Sequence, residues 1–247
     1  MKKNIIILTS GLSGSSVVAH LLSLAGYWVG DSTCMKSDYN TYENEQLVYL
    51  NEKLLAYIDY TDYSVYFDKF KLEAIEALYS TIDLGEFYEF ITTCQQYDLW
   101  LWKDPRLWVT LPFWMNFLDK NDFQVMIVDR KISQRWISEL LRRNIQSFKY
   151  CENYNLKISK AIDNYIVQYG LESKKIVFDA LIKRPENILK RINTAIGSSL
   201  KLDDLKAVYN KPLYRKIRGL DSLFMAVLIY LKNYRVALIS EKLGRRL

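Results

Sequence analysis

The chain is poor in the residues that build flexible linkers, disulfide frameworks and metal sites. Its 247 residues include only nine glycines, four prolines, three cysteines and one histidine. Scarce glycine and proline argue against long linkers, so we expect one domain over residues 1–247. The cysteines, Cys34, Cys94 and Cys151, provide no disulfide framework and are typical of a reducing compartment. No cluster of residues has metal-ligand spacing, so we expect no metal.

Long apolar runs are also missing. No stretch offers the roughly 18 uncharged apolar residues of a membrane-spanning helix. The apolar run before Ser10 and Gly11 is too short for a signal peptide. We therefore expect a cytoplasmic protein.

Acidic residues are outnumbered, which leaves a net charge of +6. A basic surplus suits nucleic acid, an anionic membrane surface or a polyanionic small ligand, and it also occurs on ordinary soluble surfaces. The chain has neither an RNP-like aromatic motif nor zinc-ligand spacing, so we expect no nucleic-acid partner.

Short apolar segments alternate with segments of helical periodicity. Residues 3–8, 123–128 and 175–178 read as buried parallel strands. This alternation predicts an α/β fold, with three α/β/α layers around a central, mostly parallel sheet. We expect a helical insertion over about residues 40–97 and a C-terminal helix over about residues 220–247.

A glycine- and serine-rich loop follows the first predicted strand and reads Ser10-Gly11-Leu12-Ser13-Gly14-Ser15-Ser16. A strand, a loop of small residues and a helix start together form a phosphate cradle. The ATP-binding P-loop ends in Gly-Lys-Ser/Thr, whereas this loop has no Lys or Arg. The loop therefore predicts a phosphate ligand and makes a P-loop kinase the least favoured interpretation.

Basic residues follow the short apolar run 99–102 and the predicted strand 123–128, and we expect both to end at the same sheet edge. Ligands of parallel sheets bind at the carboxyl ends of the strands, where Lys103 and Arg130 fall. Arg130 and Ser138 can converge on one phosphate, through a guanidinium fork and a hydroxyl. The alternative is a solvated Arg and a helix-surface Ser.

The pair Arg130 and Ser138 resembles the 3′-phosphate motif of sulfotransferases that use 3′-phosphoadenosine-5′-phosphosulfate (PAPS). Three further segments are similar to the bacterial branch of that family: 42–55, with Leu50-Asn51-Glu52; 102–114, with Lys103-Asp104-Pro105-Arg106; and 178–187, with Phe178-Asp179-Ala180-Leu181. Lys131 and Ile132 depart from the motif, because His-Pro is common there. The four matches occur in the family's order over residues 5–190.

The resemblance implies a P-loop NTPase-like sulfotransferase fold, with PAPS as donor and PAP as product. The loop residues Gly11, Ser13, Gly14, Ser15 and Ser16 would bind the 5′-phosphosulfate, and Arg130 and Ser138 the 3′-phosphate. Arg215 and Arg218 would close over the nucleotide, unless they belong to a solvated loop. The acceptor would be a hydroxyl on a saccharide, a glycolipid or a small metabolite.

The family's loop cation is absent, because Leu12 stands where Arg or Lys belongs. Lys103 and Arg106 are the candidate substitutes, since they lie at the same sheet edge. Glu43 matches the family's acidic position and is the candidate base, with a solvated carboxylate as the alternative. Without a substitute cation, the chain would be a weak or inactive PAP/PAPS-binding relative.

Other notable residues have structural interpretations. His20 fits a packed helix residue better than a catalytic one. The aromatic residues between Trp100 and Phe117 favour core packing over an acceptor pocket. Asp104 either orients Lys103 or Arg106 or serves as a turn residue. The C-terminal helix is expected to pack on the domain, with a homodimer contact or a peripheral membrane contact as alternatives.

Overall fold

A computed structural model describes residues 2–36, 39–60, 72–209 and 219–243. The strands are β1 (Asn4–Leu8), β2 (Thr33–Met35), β3 (Asn40–Asn44), β4 (Leu101–Lys103), β5 (Phe123–Asp129) and β6 (Ser173–Val177). The helices up to the fifth strand are α1 (Ser15–Leu24), α2 (Glu45–Tyr57), α3 (Leu72–Ala77), α4 (Gly85–Gln95) and α5 (Leu107–Trp114). Those that follow it are α6 (Ile132–Leu141), α7 (Phe148–Tyr169), α8 (Phe178–Lys183), α9 (Pro185–Ile196), α10 (Leu202–Tyr209), α11 (Leu220–Lys232) and α12 (Tyr234–Leu243).

The central sheet has four parallel strands in the order β4-β1-β5-β6. Strand β1 is fully buried from Ile5 to Leu8, and its side chains alternate between two apolar clusters. Ile6 and Leu8 pack with helices on one face, whereas Ile5 and Ile7 pack with helices on the other. The predicted α/β fold with helices on both faces of a parallel sheet is confirmed.

The predicted helical insertion begins with a strand. Strand β3 pairs antiparallel with β2, and helix α2 starts only after Asn44. The Asn44 side chain accepts hydrogen bonds from the backbone N–H groups of Gln46 and Leu47, which is the geometry of an N-cap. The helical part of the insertion, which we expected from about residue 40, therefore starts at residue 45.

The predicted C-terminal helix is two helices in the described residues. Helix α11 ends before Asn233, whose side-chain amide donates a hydrogen bond to the Ile229 carbonyl at 2.8 Å. Such side-chain bonds compete with the helical backbone pattern, and α12 then begins at Tyr234. Within the described ranges, no helix combines the length and the apolar character needed to cross a membrane.

Candidate functional site

The loop between β1 and α1 has the backbone of an anion cradle. Gly11, Leu12 and Gly14 have positive φ angles of 82°, 45° and 85°. Gly14 is the N-cap of α1, no side chain caps that helix, and its first turn has no acidic residue. The N–H groups of a helix's first turn have no partner within the helix, and the macrodipole there favours an anion.

Gly14 also lets the ring of Phe178 approach the loop more closely than any amino acid with a Cβ atom would allow. A Cβ atom at Gly14 would lie 2.3 Å from the ring of Phe178, the first residue of α8. The Arg130 guanidinium lies 5.6 Å from the centre of that ring, within cation–π distance. The loop, the end of β6 and the end of β5 therefore meet at one point.

Lys103 supplies a cation beside the loop between β1 and α1, which contains no Lys or Arg. Its Nζ atom lies 3.4 Å from Ser16 Oγ and donates to the Thr41 carbonyl at 2.9 Å. The same ammonium group forms an ion pair with Glu43, and Lys103 is only 3% exposed. Because β4 lies parallel to β1, the two strands end at the same edge, which explains why Lys103 reaches the start of α1.

Arg130 and Ser138 converge as the sequence predicts. Arg130 follows β5, and one of its terminal nitrogens lies 3.3 Å from Ser138 Oγ and 3.5 Å from the Leu12 carbonyl oxygen. Asp179 supports this turn, because it accepts a hydrogen bond from the Lys131 backbone N–H at 2.7 Å. The Phe178-Asp179 segment thus contributes to the site by positioning the turn at the end of β5.

Arg106 points away from these residues. Its guanidinium pairs with Glu52 and, at 3.1 Å, with Asp104. Burial raises the pKa of Asp104, and the nearby Arg106 opposes that rise. Of the two cations predicted to replace the loop cation, the structure brings only Lys103 to the loop.

A buried amide holds the turn that contains Lys103. Asn51 donates to Asp104 at 2.8 Å and accepts hydrogen bonds from the Thr110 hydroxyl and the Trp114 indole N–H, each at 2.8 Å. Segments 42–55 and 102–114 are therefore joined by Asn51–Asp104 and by Glu52–Arg106. Asp104 orients Arg106, one of the two roles predicted for it.

The loop residues, Lys103, Glu43 and Arg130 line one pocket of about 340 Å³. Of the predicted site residues, the pocket contains Gly11, Ser13, Gly14, Ser15, Ser16, Glu43, Lys103, Arg130 and Ser138. Arg215 and Arg218 lie outside the described residues. Across the described ranges, the lining includes four cationic and two carboxylate side chains, which favours a polyanionic ligand.

Several lining residues were missed at the sequence level. They include Lys36, Tyr39, Arg142, Tyr154 and Tyr209. Arg142 lies four residues after Ser138, at the end of α6, so its spacing from the Arg130–Ser138 pair was a usable signal. Lys36 lies beside the β2–β3 hairpin, and neither motif nor periodicity marks it.

Another missed residue, Arg135, supports the loop through a contact with Ser10. It is 2% exposed, contacts Ser10 Oγ and lies 3.4 Å from Asp129 Oδ1. Ser10 in turn donates to Asn155 at 2.7 Å. Arg135 therefore ties the loop to α6 and α7 without lining the pocket.

His20 and the aromatic run have packing roles. His20 stacks on Tyr42, with ring centres 4.4 Å apart, and does not line the main pocket. Trp102, Trp108 and Trp114 are fully buried. Trp108 is the one of these three that also lines the pocket.

Comparisons with known proteins identify the fold. No protein-family model matches the chain. No curated protein matches it either. Among solved structures, the sulfotransferase domain from the Synechococcus PCC 7002 olefin synthase is similar over 92% of this chain and 95% of that one, with a TM-score of 0.52 and 14% identity.

Two further structures are more distant. The sulfotransferase domain from the curacin biosynthetic pathway has 15% identity and a TM-score of 0.48, with 90% of this chain and 82% of that chain covered. Sulfotransferase STF9 from Mycobacterium avium has 11% identity and a TM-score of 0.44, with 95% and 76% covered. The first similarity shows that this chain has the fold of a sulfotransferase domain, and it confirms the fold implied by the sequence motifs.

Proposed function

We propose that this protein is a single-domain sulfotransferase that moves a sulfuryl group from PAPS to a hydroxyl acceptor on a saccharide, a glycolipid or a small metabolite. The observation that carries the proposal is the position of Lys103. Its ammonium group lies 3.4 Å from Ser16 Oγ at the start of α1, in the same pocket as Arg130 and Ser138. Lys103 therefore lies beside the loop that would bind one phosphate group, and Arg130 and Ser138 would bind a second one in the same pocket.

The pocket suits a nucleotide with phosphates at two ends. The uncapped start of α1 and the loop backbone would bind the 5′-phosphosulfate. Arg130 and Ser138, 3.3 Å apart, would bind the 3′-phosphate through charge-assisted hydrogen bonds. We also propose that Arg215 and Arg218 contribute to this nucleotide site.

Glu43 and Lys103 would divide the chemistry between them. PAPS supplies the activated sulfuryl group. Glu43 would accept the proton of the acceptor hydroxyl as a general base. Lys103 would stabilise the negative charge that develops on the oxygen released from sulfur, and its burial strengthens that interaction. The Lys103–Glu43 ion pair supports this division, because it would hold the proton acceptor beside the charge-stabilising cation.

A second candidate is a relative that binds PAP or PAPS without turnover. The observation in its favour is the loop itself, where Leu12 replaces a cation and Lys103 is already paired with Glu43. Arg130 and Ser138 would serve both candidates equally, so nucleotide binding alone does not separate them.

Calorimetric titration with PAP tests the nucleotide site. Arg130→Ala should weaken PAP binding by about 2 kcal/mol, roughly thirtyfold, because a charge-assisted contact is lost. Arg191→Ala is the matched control, since Arg191 is exposed on α9 and lies outside the pocket. Equal PAP affinity of wild type and Arg130→Ala would refute this assignment, and preferential binding of magnesium–ATP would favour a kinase.

Release of PAP from PAPS then separates the two candidates. The assay would use a panel of saccharide, glycolipid and small phenolic or alcoholic acceptors. Acceptor-dependent PAP release supports the transferase. Tight PAP binding with no release across the panel supports the binding-only relative.

A further inference from the structure

The helix pair α11–α12 has an unusual distribution of side-chain sizes. Its buried positions are mostly small, since Ala226 and Ala237 are fully buried. Its large apolar residues point outward, and Phe224 and Leu231 are 63% and 61% exposed. A surface helix of a globular protein normally shows the opposite arrangement, with its apolar side toward the core.

These outward residues form one continuous face on α11. At 100° per residue, Leu223, Leu220, Leu231, Phe224 and Leu228 fall within an arc of about 140°. All five are exposed, and we call them the α11 face. The helix has 13 residues, which is too short to span a bilayer but is a length typical of an interfacial segment.

The helix pair joins the rest of the chain through a cluster of its own. That cluster combines Ile137, Leu140 and Ile145 with Ala226 and Ile229, and it is separate from the two clusters beside the sheet. The α11 face takes no part in it. The face is therefore available to an external partner without any rearrangement of the core.

Charge and aromatic residues indicate what that partner is. The exposed charges of the helix pair are Lys232, Arg235 and Lys242 against Asp221, because Glu241 pairs with Lys149 at 3.5 Å. Another exposed arginine, Arg143, lies on the turn after α6 and outside the pocket. A helix pair with an exposed apolar face and a surplus of positive charge is the pattern of a segment that binds an anionic lipid surface.

An aromatic group adjoins the helix pair at the α6 side. Trp136 contacts both Phe148 and Tyr230, and Tyr230 contacts Tyr234. Phe148 and Tyr234 are exposed. Amphipathic aromatic rings concentrate at the boundary between lipid and water, so this group suits the edge of a lipid contact better than the centre of a protein interface.

We propose that α11 and α12 bind the surface of an anionic lipid bilayer, with the α11 face inserted among the acyl chains and Lys232, Arg235 and Lys242 at the headgroups. This surface is independent of the nucleotide pocket, and the inference does not rest on the proposed transferase activity.

Vesicle flotation with the full chain tests the inference. Wild type should bind vesicles that contain about 30 mol% phosphatidylglycerol, and binding should fall at least tenfold as salt rises from about 0.1 M to about 0.5 M, since the headgroup charges are then screened. The double variant Phe224→Ser/Leu231→Ser should lose at least about tenfold in binding. Val167→Ser is the matched control, because Val167 is 81% exposed on α7.

Two results would overturn the inference. The first is wild-type chain that fails to float with anionic vesicles at low salt. The second is a concentration-dependent dimer in light scattering that Phe224→Ser/Leu231→Ser dissociates, because the α11 face would then bind a second copy. Thermal melting shows whether each variant is folded, and the wild-type salt series decides the question if the double variant is not.

Discussion

The most informative single change is Lys103→Met, because it removes the cation at the start of α1 and retains a flexible side chain of similar length. Lys103 is 3% exposed, so water screens its charge little. Loss of one buried group that stabilises developing charge costs about 3–4 kcal/mol, which is roughly a 10²- to 10³-fold loss in turnover. The variant should therefore retain nucleotide binding and lose most of its rate of PAP release.

Two measurements separate this effect from general damage. PAP lacks the transferring sulfuryl group, so its affinity should change less than about fivefold if Lys103 acts mainly in the transition state. The second measurement is thermal melting, because Lys103→Met leaves Glu43 without its ion-pair partner. Breaking a buried ion pair lowers the free energy of unfolding by about 3–5 kcal/mol. The double variant Lys103→Met/Glu43→Gln removes that unpaired charge.

A rescue completes the test. Leu12→Lys in the Lys103→Met background returns a cation to the loop position that the family uses. Leu12 already has a φ of 45°, so lysine there adds no backbone strain. Turnover should recover at least about tenfold. Wild-type turnover in Lys103→Met, or an equal loss of PAP binding and turnover, would refute the reasoning.

Three further predictions concern the loop and the buried amide. Gly14→Ala should lower stability by about 2–4 kcal/mol and weaken PAP binding, because the added Cβ meets the Phe178 ring at 2.3 Å and φ is +85°. The control Gly26→Ala, with φ +94° and open space around the added Cβ, should show only the cost of the backbone conformation. In urea unfolding, Asn51→Ala should lower the free energy of unfolding by at least about 3 kcal/mol, since three buried partners lose a hydrogen bond. The control Asn187→Ala, at an exposed position, should change it little. Equal losses in the two variants would contradict the buried network. Because burial raises the pKa of Asp104, the folded protein holds that proton more tightly than the unfolded chain. The stability of wild type relative to Asp104→Asn should therefore fall as pH rises above the ordinary pKa of an aspartate, about 4. A rise would contradict this assignment.

Much of the sheet was predictable because its strands are continuous apolar runs. Residues 3–8 and 123–128 correspond to β1 and β5, which are buried on both faces and so lack a confusing alternation. The hairpin β2–β3 was not predictable, since its strands are short and partly exposed. Its existence depends on pairing between segments, which local periodicity does not report.

The site was predictable where chain topology alone brings residues together. Lys103 ends β4 and Arg130 follows β5, and these two strands flank β1, so both residues had to reach the loop's edge of the sheet. Arg106 lies three residues beyond Lys103, and its direction was decided by Asp104 and Glu52. Arg135 escaped notice because only a tertiary contact with Ser10 distinguishes it from a surface arginine.

The bonds Asn51–Asp104 and Glu52–Arg106 have a consequence for protein engineering. They make helix α2 and the turn after β4 a single module, although about 50 residues separate them in the chain. An exchange of α2 with that of another protein of this fold would transplant one half of this module without the other. A chimera that retains Asn51 and Glu52, or that imports the matching turn as well, should keep Lys103 in place.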